Sequence, residues 1–181
     1  IINPTRSFFT QMLQTYLNRF LWWTTLVLLQ VFFFNHIHLL GYATPFIYLY
    51  IVVKMSSDTN RNALMLWAFL LGLLVDAFAD TPGMNAAAAV FLAFIRPTLL
   101  RLFLPRDSND TFTPSIHSMG LSSYVKYLSL SVLFHHALLF TIAFFSLASP
   151  LELLLRIVSS ALLSVVCMLA IEGLQQRKSN P

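Results

Sequence analysis

Six apolar stretches, at about 20–34, 43–53, 63–79, 85–104, 122–147 and 151–171, alternate with short polar junctions along the chain. A helix rising 1.5 Å per residue needs roughly 20 apolar residues to cross a bilayer core of roughly 30 Å, so each stretch predicts a membrane-spanning helix. The first two are short for that task. Borrowing residues 35–42 lengthens them, and their junction is then expected to be a tight, partly buried corner. One long helix across both stretches is excluded by charge. Arg6 and Arg19 precede the first, Lys54 and Arg61 follow the second, and an even number of crossings must separate two basic flanks.

Composition supports the same class. Hydrophobic residues make up 57% of the 181 positions and charged residues only 10%, against roughly 25% charged in a typical soluble domain. Too few polar groups are present to cover a globular surface, and 181 residues leave no room for a soluble catalytic domain beside six spans. The expectation is an all-α integral membrane protein, a single transmembrane domain over residues 1–181. The net charge of +4 reads as an orientation signal, with no nucleic-acid partner expected. Arg6 and Arg19 ahead of residues 20–34 also suit a signal peptide, but no small-residue cleavage site follows, so a retained first span is expected.

Ten of the eleven basic residues fall at or towards one side of the six-span arrangement; Arg156 is the exception. Glu152 lies four residues before it, the favourable order for a helical ion pair. Trp22, Trp23 and Trp67 land near the basic interface, where amphipathic rings prefer to sit. Both termini and the segment 105–120 are therefore expected in the cytoplasm. Cys167, the only cysteine, cannot form an intrachain disulfide and reads as a packing residue.

The hairpin between the third and fourth stretches holds the candidate chemistry. Asp76 lies in an apolar run, where an ionisable group costs at least roughly 2.5 kcal/mol and asks for a functional or assembly reason. Asp80 follows four residues later, on the same face of a continuous helix. Pro82 and Gly83 suit the central positions of a type II turn, with Gly83 accepting the positive φ. Two carboxylates can hold Mg²⁺, but the second acidic cluster that metal enzymes of this kind use is missing. The expected role of Asp76 is a hydrogen-bonded assembly contact, within the bundle or with a partner, with Asp80 at the interface. No cofactor is expected.

Arg96 and Pro97 interrupt the fourth stretch. Proline removes a donor and is expected to kink the helix. Arg96 is expected to snorkel to the cytoplasmic surface, with a direct pair to Asp76 as the alternative. His135 and His136 fall near mid-span. Adjacent helical residues point about 100° apart, so hydrogen bonding between helices is expected ahead of metal ligation. Ser160 and Ser164 read as a small-xxx-small pair that lets helices approach.

Gly72-xxx-Asp76, then Thr81-Pro82-Gly83-Met84-Asn85-Ala86-Ala87, then a span ending in Arg96-Pro97, resembles the central signature of the rod shape-determining protein MreD family. Length, span number and short outer loops agree over nearly the whole chain. The resemblance implies a six-span helical bundle similar to the substrate-binding subunits of energy-coupling-factor vitamin transporters, in the bacterial inner membrane. It implies a non-enzymatic scaffold that binds the single-span protein MreC. Through it the scaffold would organise the elongation glycosyltransferase and transpeptidase and, indirectly, the cytoskeletal filament, with membrane lipids around it. Gly72, Asp76, Pro82, Gly83, Asn85 and Arg96 are the implied assembly or partner residues. The rival is a vitamin-binding transporter subunit. Such subunits couple through an alanine-rich first span, whereas residues 20–34 contain neither alanine nor glycine.

Overall fold

The computed structural model describes residues 14, 17, 21–36, 43–104, 111–144 and 149–179, the side chains of 36 and 177–179 excepted. Arg6, Arg19, His38, Arg106 and corner residues 37–42 lie outside the described residues, as do the side chains of Arg177 and Lys178. The described chain is helical: α1 (Leu21–Phe32), α2 (Leu49–Lys54), α3 (Arg61–Ala79), α4 (Met84–Phe103), α5 (Ile116–Met119), α6 (Leu121–Ala143) and α7 (Pro150–Ser179). A short 3₁₀ turn, Phe34–His36, follows α1. Four helices, α3, α4, α6 and α7, are long and apolar enough to cross a membrane, making this a multi-pass membrane protein. They pack in chain order, α3 on α4, α4 on α6, α6 on α7.

The third to sixth apolar stretches thus become helices, but the second does not. Of residues 43–54, only Leu49–Lys54 is α-helical, and residues 44–46 have no regular structure. Pro45 accounts for the break: it has no N–H, and it biases the preceding residue, Thr44, away from helix. Non-helical backbone in an apolar setting is tolerated only where protein satisfies its polar groups. Three side chains do so. The Thr44 N–H donates to Ser160 Oγ (3.0 Å) and that of Phe46 to Ser164 Oγ (2.9 Å). Gln30 Oε1 accepts from the Ile47 N–H (2.6 Å) and the Tyr48 N–H (3.4 Å), while its Nε2 donates to the Pro45 carbonyl (3.0 Å).

The match is one of spacing. Two residues of extended chain advance roughly 6.6 Å, and four of helix roughly 6 Å. Alternate N–H groups therefore meet hydroxyls one turn apart on α7. Ser160 and Ser164 act here as backbone caps for the broken segment. Tyr48 to Val53 follow directly and are buried on all sides, forming the centre of the bundle. Replacing Gln30 by Leu would strand two N–H groups and a carbonyl. At roughly 1–3 kcal/mol per unsatisfied buried group, thermal unfolding in detergent should show a loss of about 3 kcal/mol or more. Ser159→Ala, on the same helix as the capping serines, should change little. Equal effects would refute the capping role.

Candidate functional site

The hairpin is built around one carboxylate. Helix α3 ends at Ala79, and Asp80 takes a left-handed conformation (φ 53°) that turns the chain. Gly83 (φ 79°, ψ −3°) completes the Pro-Gly turn expected from the sequence. The first N–H groups of any helix lack intrahelical partners, and Gly83 at the start of α4 has no side chain to supply one. Asp76 supplies it from the preceding helix. Its Oδ1 accepts from the Asn85 N–H (2.9 Å), Asn85 Nδ2 (3.0 Å) and Thr81 Oγ1 (2.8 Å), and its Oδ2 from the Ala86 N–H (2.9 Å). A negative group at a helix N-terminus also meets the positive end of the helix dipole. The assembly contact of Asp76 is thus one within the bundle, and it joins α3 to α4.

Gly72 sets how closely the two helices meet. A Cβ built on it would lie 2.5 Å from Ala86 Cα and 2.6 Å from Ala86 N. Backbone therefore rests directly on backbone, one turn from the carboxylate. Asp80, by contrast, is exposed. The helix ends between the two aspartates, so they do not share a face as a continuous helix would have placed them.

Asn85 carries the hairpin into the core. Its Oδ1 accepts from Tyr48 Oη (3.4 Å), whose hydroxyl also meets His135 Nε2 (2.9 Å). The neighbouring His136 bonds through Nδ1 to the Val132 carbonyl (2.8 Å) and through Nε2 to Ser164 Oγ (3.1 Å). A carbonyl only accepts, so Nδ1 bears the proton, and the single Ser164 hydroxyl proton is shared between His136 Nε2 and the Ser160 carbonyl (2.7 Å). His135 and His136 thus serve different helices, and the rings pack edge-on with Phe46 wedged beside them.

Arg96 overturns one expectation. Its side chain does not snorkel: it is 1% exposed. Nor does it pair with Asp76, whose oxygens are held in the hairpin. Its Nη2 donates instead to the carbonyls of Val53 and Met55, where α2 ends. Tyr127 Oη shares the Val53 carbonyl (3.1 Å). The negative end of a helix suits a guanidinium. Helix α4 continues through Pro97 to Phe103.

Sequence reasoning missed a second buried carboxylate. Glu172, 1% exposed, lies one residue past the sixth apolar stretch, where hydropathy places it among the polar tail. Its Oε2 accepts from Tyr50 Oη (2.6 Å), Lys54 Nζ (2.8 Å) and Tyr124 Oη (3.1 Å), and its Oε1 from the Ile116 N–H (3.4 Å). It therefore ties α2, α5 and α6 to α7 at the end of the bundle opposite the hairpin. Elsewhere Glu152 and Arg156 form the expected pair (2.8 Å), and Trp23 stacks edge-on with Trp67 (6.4 Å).

Neither protein-family models, curated proteins nor solved structures give any match to this chain.

Proposed function

We propose that this protein is a non-enzymatic scaffold of the bacterial cell-wall elongation complex, related to MreD and acting by binding MreC. One observation carries the reading. Gly72, Asp76, Pro82, Gly83 and Asn85, five of the six residues that the resemblance implies, form a single interlocked hairpin, while Arg96 holds the end of α2. Such a hairpin presents a rigid pair of helices whose outer faces remain open. On α3, Leu66, Phe69, Leu70, Leu73, Leu74 and Phe78 are all exposed, an apolar stripe suited to a partner helix or lipid. Association of helices within a bilayer relies on packing and polar contacts rather than on water exclusion. A surface held in one conformation loses less entropy when it docks.

In this reading the chain crosses the inner membrane six times, with α1 and the broken segment 43–54 completing the set. Lys54, Arg61, Arg101 and Lys126 lie at the Glu172 end, which the positive-inside rule assigns to the cytoplasm. Labelling tests the orientation. With Cys167 replaced by Ala, an impermeant thiol reagent applied to intact spheroplasts should modify Ser149→Cys and spare Thr111→Cys. The reverse pattern would sink the topology.

The function itself is tested by capture and depletion. Detergent-solubilised protein should retain MreC. Its depletion should round cells in both rich and vitamin-limited media. A growth defect cured by a supplied vitamin, with normal cell width throughout, would instead identify a transporter subunit. That second reading has its own support in a crevice of about 310 Å³ at the hairpin end, walled by Asn35, Thr44, Phe46, Asn85 and Phe140.

A further inference from the structure

At the Glu172 end of the bundle a cavity of about 330 Å³ opens between α1, α2, the loop after α2 and α7. Its walls differ in kind. Trp22 and Trp23 of α1 form an aromatic side, while Lys54, Ser56, Thr59 and Gln175 give a polar one. No carboxylate is among its described lining residues. Glu172 is withdrawn behind Tyr50 and Lys54, its oxygens taken by their hydrogen bonds. An ammonium has three donors, and Glu172 takes one from Lys54, whose side chain is 17% exposed.

The surroundings narrow the ligand. Tryptophan at the end of a membrane helix marks the headgroup level; Trp22 is half-exposed and Leu21 beside it more so. An anion entering here meets a lysine, hydroxyls and an amide without facing an acid. Its apolar remainder could leave along α1, past Leu21 and Trp22, into the hydrocarbon. A quaternary ammonium would gain from the indole rings, but it would have to sit against Lys54.

We propose that this cavity binds the phosphodiester headgroup of an anionic phospholipid from the adjoining leaflet. The phosphate lies against Lys54 and the hydroxyls of Ser56 and Thr59, and the glycerol against Trp22 and Trp23. The site is independent of the scaffold reading, since it uses none of the hairpin residues. Such a lipid would brace α1 against α2 and α7.

The full chain would be placed in nanodiscs of phosphatidylcholine, with or without phosphatidylglycerol, and retained lipid identified by native mass spectrometry after release into detergent. Phosphatidylglycerol should be retained about twofold or more over phosphatidylcholine, since a basic group near the surface is worth about fivefold when unpaired and Lys54 shares its charge with Glu172. Thr59→Glu places a carboxylate on the cavity wall without touching the Glu172 pair. It should bring that ratio to parity while the thermal transition in phosphatidylcholine alone stays in place. Lys54→Gln should do the same if it folds, although it leaves Glu172 short of a donor. Equal retention of both lipids by the unaltered protein would overturn the proposal, as would an unchanged preference in Thr59→Glu. Stabilisation by soluble glycerol phosphate equal to that by the lipid would overturn the membrane source.

Discussion

Asp76→Asn should lower the stability of the purified protein by about 3 kcal/mol or more, whereas Asp80→Asn should change it by less than about 0.5 kcal/mol. The same substitution, four residues apart, separates the two carboxylates by what they touch. Asp76 accepts four hydrogen bonds, two of them from N–H groups that open α4. An amide has one oxygen, so its NH₂ must face a donor, Asn85 N–H or Ala86 N–H, and leave that group stranded. A buried donor without a partner costs roughly 1–3 kcal/mol, and bonds to an ionised acceptor are worth about 1.5–3 each. Asp80 is exposed, and asparagine accepts the left-handed backbone as readily as aspartate. Thermal or denaturant unfolding in one detergent would measure both. Comparable, severe losses at the two positions, together with a divalent ion in the purified protein, would restore the paired-carboxylate metal site.

That contrast was partly visible in the residues. Pro82-Gly83 fixed the turn and Asp76 stood out as a charge in an apolar run. Its partners could not be read, because two are backbone N–H groups of the next helix, and a hydropathy profile records side chains only. The broken segment was hidden for the same reason. Residues 43–53 are as apolar as any span, yet their backbone leaves the helix at Thr44–Phe46 and draws its hydrogen bonds from Gln30, Ser160 and Ser164. Those three polar residues inside apolar runs, read beside Pro45, were the available signal. Arg96 failed differently. Snorkelling assumes that water relieves the charge, and here the carbonyls of Val53 and Met55 do so. Glu172 was passed over because it follows the last apolar residue by a single position.

Gly72→Leu should be the most damaging single change in the hairpin, and Gly72→Ala should show why. The position has open sequence alternatives by helix propensity alone, since alanine favours a helix by about 1 kcal/mol over glycine. Packing reverses that sign. Even a methyl group would fall 2.5 Å from Ala86 Cα and 2.7 Å from the Asn85 carbonyl oxygen, and these are backbone atoms that no rotamer change can move aside. Helices α3 and α4 must part, at about 1–3 kcal/mol for a methyl and more for leucine. Parting them also draws the Ala86 N–H from Asp76 Oδ2, so the two sites share one structural term. Gly72→Ala and Asp76→Asn combined should therefore cost less than the sum of the single changes, by about 0.5–3 kcal/mol. Additivity within about 0.3–0.5 kcal/mol would mean that the close approach and the carboxylate act independently. The hairpin would then not be a single interlocked unit. If it is one unit and the proposed scaffold role holds, MreC capture should fall in step with the measured loss of stability across Gly72→Ala, Gly72→Leu and Asp76→Asn, since each loosens the same pair of helices.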